Sequence, residues 1–198
     1  MVDLTAPNLL TLFRIGMTPV LIYLASFVGP IPAALAAGVF FLATVSDFFD
    51  GYLARSYNSG TTLGKFLDPM ADKLIVTSTL IMLAGIARTP RVPAWIVAVL
   101  VAREIAVTGL RAVAASEGIV IAAEEVGKYK MALQSIAIHG LLVHYTYFHL
   151  DFFAAGMFVL WISMGVSIVS GIDYYRRAAQ AFRGKKSART AIQHRAAI

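Results

Sequence analysis

Cysteine is absent from the 198-residue chain, which excludes disulfide frameworks, thiolate metal sites and cysteine nucleophiles. Charge is scarce: 14% of residues are charged and 59% hydrophobic, where a soluble domain carries about a quarter charged. Acidic residues are the rarest charge, eleven in all. No basic segment and small-residue cleavage site precede the first apolar run, so no removable signal peptide is expected. Fixed-period repeats and low-complexity linkers are missing too. With a mean hydropathy of +0.74, these shortages predict an all-α, polytopic membrane protein with one helical domain.

Crossing hydrocarbon takes about 20 mainly apolar residues per helix. Residues 152–172 carry no charge, and neither do residues 15–46. The breaker Gly29-Pro30-Ile31-Pro32 divides the latter run into two helices, the first starting near Pro7 or Asn8. Leu74 to Ala87 makes a third and Pro93 to about Ala115 a fourth, interrupted by Arg103 and Glu104. Met131 to Phe148 makes the fifth, and Phe152 to Ile172 the sixth. The expectation is a six-transmembrane-helix bundle over residues 1–177 and a basic tail over 178–198.

The net charge of +6 gathers near the C-terminus, in Arg176, Arg177, Arg183, Lys185, Lys186, Arg189 and Arg195. Directly after an apolar span, such a tail reads as a cytoplasmic anchor to anionic lipid rather than a nucleic-acid arm, so no nucleic-acid partner is expected. An even number of spans then places both termini in the cytoplasm. Arg55, Lys65, Lys128 and Lys130 agree with that orientation; Arg88 and Arg91 oppose it.

Four of the eleven acids fall within residues 47–72. Asp47 and Asp50 are spaced i,i+3, and Asp68 and Asp72 i,i+4, so each pair shares a helical face. A short turn brings the two faces together at the cytoplasmic end. One reading makes these residues helix caps and salt-bridge partners of Arg55, Lys65 and Lys73. The other makes them ligands of divalent metal, since ionised carboxylates in a bundle need compensation. Hard oxygen ligands suit Mg²⁺ or Mn²⁺, and four carboxylates suffice for two ions. Gly51, Ala54 and Gly64 permit close approach of a helix or ligand, and Arg55 offers a charge partner for a diphosphate.

The stretch Asp47-x2-Asp50-Gly51-x2-Ala54-Arg55-x8-Gly64-x3-Asp68-x3-Asp72 resembles the complete signature of the CDP-alcohol phosphotransferases. Chance agreement at all eight positions from one start is on the order of 10⁻¹⁰ at ordinary residue usage. The resemblance implies a six-helix membrane fold, commonly homodimeric, and two divalent metals held by Asp47, Asp50 and Asp68 with Asp72. It also implies Asp72 as general base and a CDP-lipid site around Asn8, Gly51, Ala54, Arg55 and Gly64.

Two further stretches, Pro7 to Arg14 and Arg103 to Lys130, are similar to bacterial phosphatidylglycerophosphate synthases. That likeness implies CDP-diacylglycerol as donor, sn-glycerol 3-phosphate as acceptor and the bacterial inner membrane as location. An acceptor bearing a phosphate dianion wants an Arg/Lys cluster, for which Arg14, Arg111, Lys128 and Lys130 are the candidates. Arg103 lies deeper, with Glu104 read as its chain neighbour and not its facing partner.

His139, His144 and His149, at five-residue intervals on the expected fifth helix, do not converge on one ligand set and are assigned to packing or interface roles. Trp95, Trp161 and the Tyr145–Tyr147 region read as interfacial anchors or packing. Two alternatives stand. A sibling enzyme would use inositol phosphate, serine or phosphatidylglycerol as acceptor. A metal transporter would carry its acids near mid-span.

Overall fold

A computed structural model describes the backbone of residues 6–57, 62–119, 121 and 125–196, and side chains for residues 8–46, 67, 70–119, 121 and 129–185. Its helices are α1 (Ala6–Ala25), α2 (Pro30–Tyr57), α3 (Thr62–Gly85), α4 (Ala94–Ser116), α5 (Glu125–Val143) and α6 (Phe152–Ala196). A two-residue antiparallel hairpin, β1 (Thr146–Tyr147) with β2 (Leu150–Asp151), joins α5 to α6. Six helices among the described residues match the expected number.

Local chemistry accounts for the boundaries. Gly29 takes φ +145° between α1 and α2, a conformation open to a residue without Cβ. Pro30 and Pro32 then sit in the first turn of α2, where a missing N–H leaves no bond unmade. The fifth helix ends earlier than its apolar run suggests. His144, Phe148 and His149 all have positive φ, so the chain turns through the hairpin and two of the three histidines leave the helix. His139 stays in α5, packed edge-on against Phe40 and Phe41. His144 packs against Tyr145 and Phe153, where burial pulls its pKa below the ordinary imidazole value.

Helices α2 and α6 are the longest. At about 1.5 Å per residue, the 28 residues of α2 reach roughly 42 Å and the 45 of α6 roughly 68 Å, against a hydrocarbon core of about 30 Å. Helix α6 continues unbroken through the expected boundary at residue 177. Windows in α1 (Asn8–Ala25) and α6 (Phe152–Lys185) are long and apolar enough to cross a membrane, and Pro30–Ser46 of α2 is a shorter apolar stretch.

Large apolar residues lie on the outside of the bundle as well as in its core. Outward residues on every helix are large and apolar: Leu9, Leu35, Ile81, Ile105 (68% exposed), Ile136 and Phe158 (68% exposed). Buried among the helices are Arg14, Arg88, Lys130, Gln134, Ser163 and Ser167. An apolar core centred on Leu21, Phe40, Leu80, Ile96, Ile138, Leu141 and Leu160 fills the space between.

Helices α5 and α6 meet closely where Gly140 faces Gly156. A Cβ added at Gly156 would lie 2.8 Å from the Leu141 backbone nitrogen and 3.0 Å from the Ala137 carbonyl oxygen. Backbone cannot move aside as a side chain can, so Gly156→Ala is expected to destabilise by about 1–3 kcal/mol. A thermal melt of the detergent-solubilised variant checks this, and an unchanged melting temperature would contradict the close contact.

The opposite end of the bundle from the aspartate-bearing turn is closed by Arg88. Its Nη2 donates to the carbonyl oxygens of Phe27 (2.8 Å) and Ala25 (3.4 Å), and its Nη1 to that of Leu142 (3.3 Å). Ala25 ends α1 and Leu142 lies in the last turn of α5. Such carbonyls have no intrahelical partner and carry the negative end of the helix dipole. Arg88 is thus a buried clamp, and its charge is spent inside the protein.

Candidate active site

Helix α1 presents a buried polar face. Asn8, Thr11, Arg14 and Thr18 follow helical spacing and are all buried, Arg14 to 1% exposure. Thr18 Oγ1 donates to the Arg14 carbonyl oxygen at 3.1 Å. Because α1 packs against both α2 and α3, this polar stripe serves the two helices that carry the signature.

Helix α2 carries Asp47, Asp50, Gly51, Ala54 and Arg55, and α3 carries Gly64, Asp68 and Asp72. Of the aspartates, Asp72 alone has a described side chain; those of Asp47, Asp50 and Asp68, with Arg55 and Lys128, lie outside the described residues. Arg14 Nη1 donates to Asp72 Oδ1 at 2.5 Å, and the Asp72 side chain is 23% exposed. Arg14, expected to bind acceptor phosphate, is therefore placed directly against the expected base, across 58 residues of sequence. No group of three or more potential metal ligands occurs among the described residues. Two helices carrying carboxylates at i,i+3 and i,i+4 still supply a donor chemistry of hard oxygens alone, which fits Mg²⁺ or Mn²⁺.

At the same end lies a cluster of cations around one carboxylate. Glu104 Oε2 accepts from Lys130 Nζ and, at 3.2 Å, from Arg103 Nη1, while Lys73 Nζ stands 3.9 Å from Oε1. Lys73 Nζ also donates to Thr108 Oγ1 at 2.5 Å. The reading of Glu104 as no facing partner of Arg103 is corrected: adjacent residues diverge on a helix, but the long Arg103 side chain folds back to reach it. Arg103 continues to α6, with Nε on the Ser167 carbonyl oxygen (2.9 Å) and Nη2 on Ser170 Oγ (3.0 Å).

Arg111 stacks over the Tyr174 ring, 5.5 Å from its centroid. Tyr174 itself is buried, its hydroxyl lacking a hydrogen-bond partner among the described residues. Farther along α6, Lys185 Nζ donates to the Glu117 carboxylate at 2.8 Å and to the Glu117 carbonyl, fastening α6 to the end of α4. A separate apolar groove of about 330 Å³ between α4 and α6, lined by Ala106, Val107, Leu110, Ile168, Gly171 and Ile172 with Arg103 at its edge, holds none of the signature residues.

Thr11, Thr18 and Tyr174 escaped the sequence reading, and Glu104 entered it only as a neighbour of Arg103. For the threonines a signal existed, namely their spacing with Asn8 and Arg14. Nothing local pointed Glu104 to Lys73 on α3 and Lys130 on α5, or Tyr174 to Arg111 on α4.

Comparison with known proteins identifies the family. A family model described as CDP-alcohol phosphatidyltransferase matches residues 4–169. The chain is 42% identical to the CDP-diacylglycerol–glycerol-3-phosphate 3-phosphatidyltransferase of Bacillus subtilis, covering 89% of this chain and 96% of that protein. It is 35% identical to the protein of that name from Rickettsia bellii, covering 91% and 99% respectively. A cardiolipin synthase (CMP-forming) from Oryza sativa is 34% identical, covering 88% of this chain and 57% of its own length. With the full signature on α2 and α3 and a match spanning most of its length, this chain belongs to the CDP-alcohol phosphatidyltransferase family.

Proposed function

We propose that the protein transfers a phosphatidyl group from CDP-diacylglycerol to sn-glycerol 3-phosphate, releasing CMP. The observation that carries the reading is the end-to-end likeness to bacterial relatives bearing that name. The cation cluster at the Asp72 end supports the acceptor: a phosphate dianion calls for such a cluster, whereas serine or phosphatidylglycerol brings less charge to it.

In this reading the acceptor hydroxyl oxygen forms a bond to the β-phosphorus, the one attached to diacylglycerol. The bond from that phosphorus to the bridging oxygen breaks, and the oxygen leaves with CMP. Asp72 takes the hydroxyl proton, and Arg14 holds its carboxylate in place. Arg14 thereby stands on the base side of the pocket, where the acceptor phosphate would also lie. Lys130, Arg111 and Lys128 supply the other cations, while Asn8, Gly51, Ala54, Arg55 and Gly64 surround the CDP moiety. Asp47, Asp50, Asp68 and Asp72 would hold two divalent ions, Mg²⁺ or Mn²⁺, which when bound supply charge stabilisation to the diphosphate.

We further read the bundle as six transmembrane spans in the bacterial inner membrane, with both termini and the site in the cytoplasm. The apolar outer faces of all six helices support embedding. Arg88 no longer opposes this orientation, because its charge is bound by three carbonyls. The basic tail, residues 178–198, would rest on anionic headgroups. A homodimer completes the reading.

The purified protein is expected to release CMP from CDP-diacylglycerol with glycerol 3-phosphate in clear preference to inositol phosphate, serine or phosphatidylglycerol. Preference for another acceptor would reassign the enzyme to a sibling activity. Metal uptake into sealed liposomes without CMP release from any CDP-lipid would make it a transporter. Arg111→Ala and Lys128→Ala are each expected to raise KM for glycerol 3-phosphate about tenfold or more, with far less effect on CDP-diacylglycerol. Unchanged acceptor kinetics in both would exclude them from the phosphate pocket.

A further inference from the structure

We propose that Glu104 is a positioning residue for the acceptor half of the site, fixing Lys130 beside Lys73 and Arg103 so that this cluster presents net positive charge to a phosphate dianion. The proposal rests on the glycerol 3-phosphate reading above.

One carboxylate touches three cations from three helices. Lys73 belongs to α3, Arg103 and Glu104 to α4, and Lys130 to α5. Through Ser167 and Ser170, Arg103 extends the link to α6. Among the described residues, three cations against one carboxylate leave two net positive charges, the charge a phosphate dianion would balance. A fully neutralised structural ion pair would show no such excess.

The three cations do not depend on Glu104 equally. Arg103 is tied to α6, and Lys73 has Thr108. Lys130, only 5% exposed, has Glu104 as its one side-chain partner among the described residues. Its ammonium has three donors, so a bond to Glu104 leaves donors for a ligand. Without the carboxylate, repulsion from Arg103 and Lys73 would drive this flexible lysine off its position.

Two physical pictures predict opposite signs. If Glu104 merely competed with phosphate for the cations, Glu104→Gln would strengthen acceptor binding and lower its KM. If Glu104 positions Lys130, the same change raises KM for glycerol 3-phosphate by about tenfold or more, with the CDP-diacylglycerol KM within about twofold of wild type. The expected result is the second. Adding Glu104→Gln to Lys130→Gln should then leave the acceptor KM no worse than in Lys130→Gln alone, because one residue acts through the other. A lowered or unchanged acceptor KM in Glu104→Gln, or additive effects in the double variant, overturns the proposal while leaving the acceptor reading intact. Absence of glycerol 3-phosphate-dependent CMP release by the wild type would instead overturn that reading, and the proposal with it. Should Glu104→Gln fail to accumulate in membranes, Glu104→Asp keeps the charge but shortens its reach. It is expected to raise the acceptor KM several-fold, and wild-type kinetics there would equally overturn the proposal.

Discussion

Asp72→Asn is expected to lower CMP release by at least about 100-fold while the protein remains folded, the loss typical of removing a general base. Asparagine has nearly the size of aspartate and can still accept a hydrogen bond from Arg14, but its amide cannot take a proton from the acceptor hydroxyl. The environment sharpens this expectation. Arg14 is buried and donates to Asp72 at 2.5 Å, so the substitution also leaves a buried cation facing a neutral group. Breaking a buried pair costs about 3–5 kcal/mol when both partners are sequestered; here the Asp72 side chain is 23% exposed, and solvent reduces that cost. A melting curve measured beside the rate separates the two effects. Wild-type CMP release from Asp72→Asn would remove this residue as the base.

Thorough chelation with EDTA is expected to abolish activity, and Mg²⁺ or Mn²⁺ to restore it. The argument comes from charge. Asp47, Asp50, Asp68 and Asp72 occupy two neighbouring segments, and Arg14 balances one of them. Carboxylates placed in a helical bundle are costly unless compensated, and the donors on offer are all hard oxygens. Binding should therefore also stabilise the fold, by about 2.7 kcal/mol at a metal concentration one hundred times the dissociation constant. The melting temperature in detergent is expected to fall on chelation and to recover with added metal, a readout independent of turnover. Full activity after chelation, with an unmoved melting temperature, would exclude the two-metal reading.

The sequence by itself determined the parts that depend on local order. Apolar runs and the Gly29-Pro30 breaker marked six helices because burial and backbone hydrogen bonding act over one segment at a time. Signature spacing was equally legible, since i,i+3 and i,i+4 positions share a helix face whatever surrounds them. Where segments meet, sequence was silent. Arg14 reaches Asp72 across 58 residues and Arg88 reaches Phe27 across 61. Long flexible cations can satisfy many partners, and the choice depends on which helices pack together. The same holds for Gly140 and Gly156, whose meeting is a property of the α5–α6 contact. Tertiary structure also revised two signals of charge. Arg88, counted as an external loop charge, is a buried clamp on helix ends, and Glu104, read as a bystander, gathers three cations. Charge counts along a chain record how many charges exist; only desolvation and packing decide which of them face water, which face substrate and which face one another.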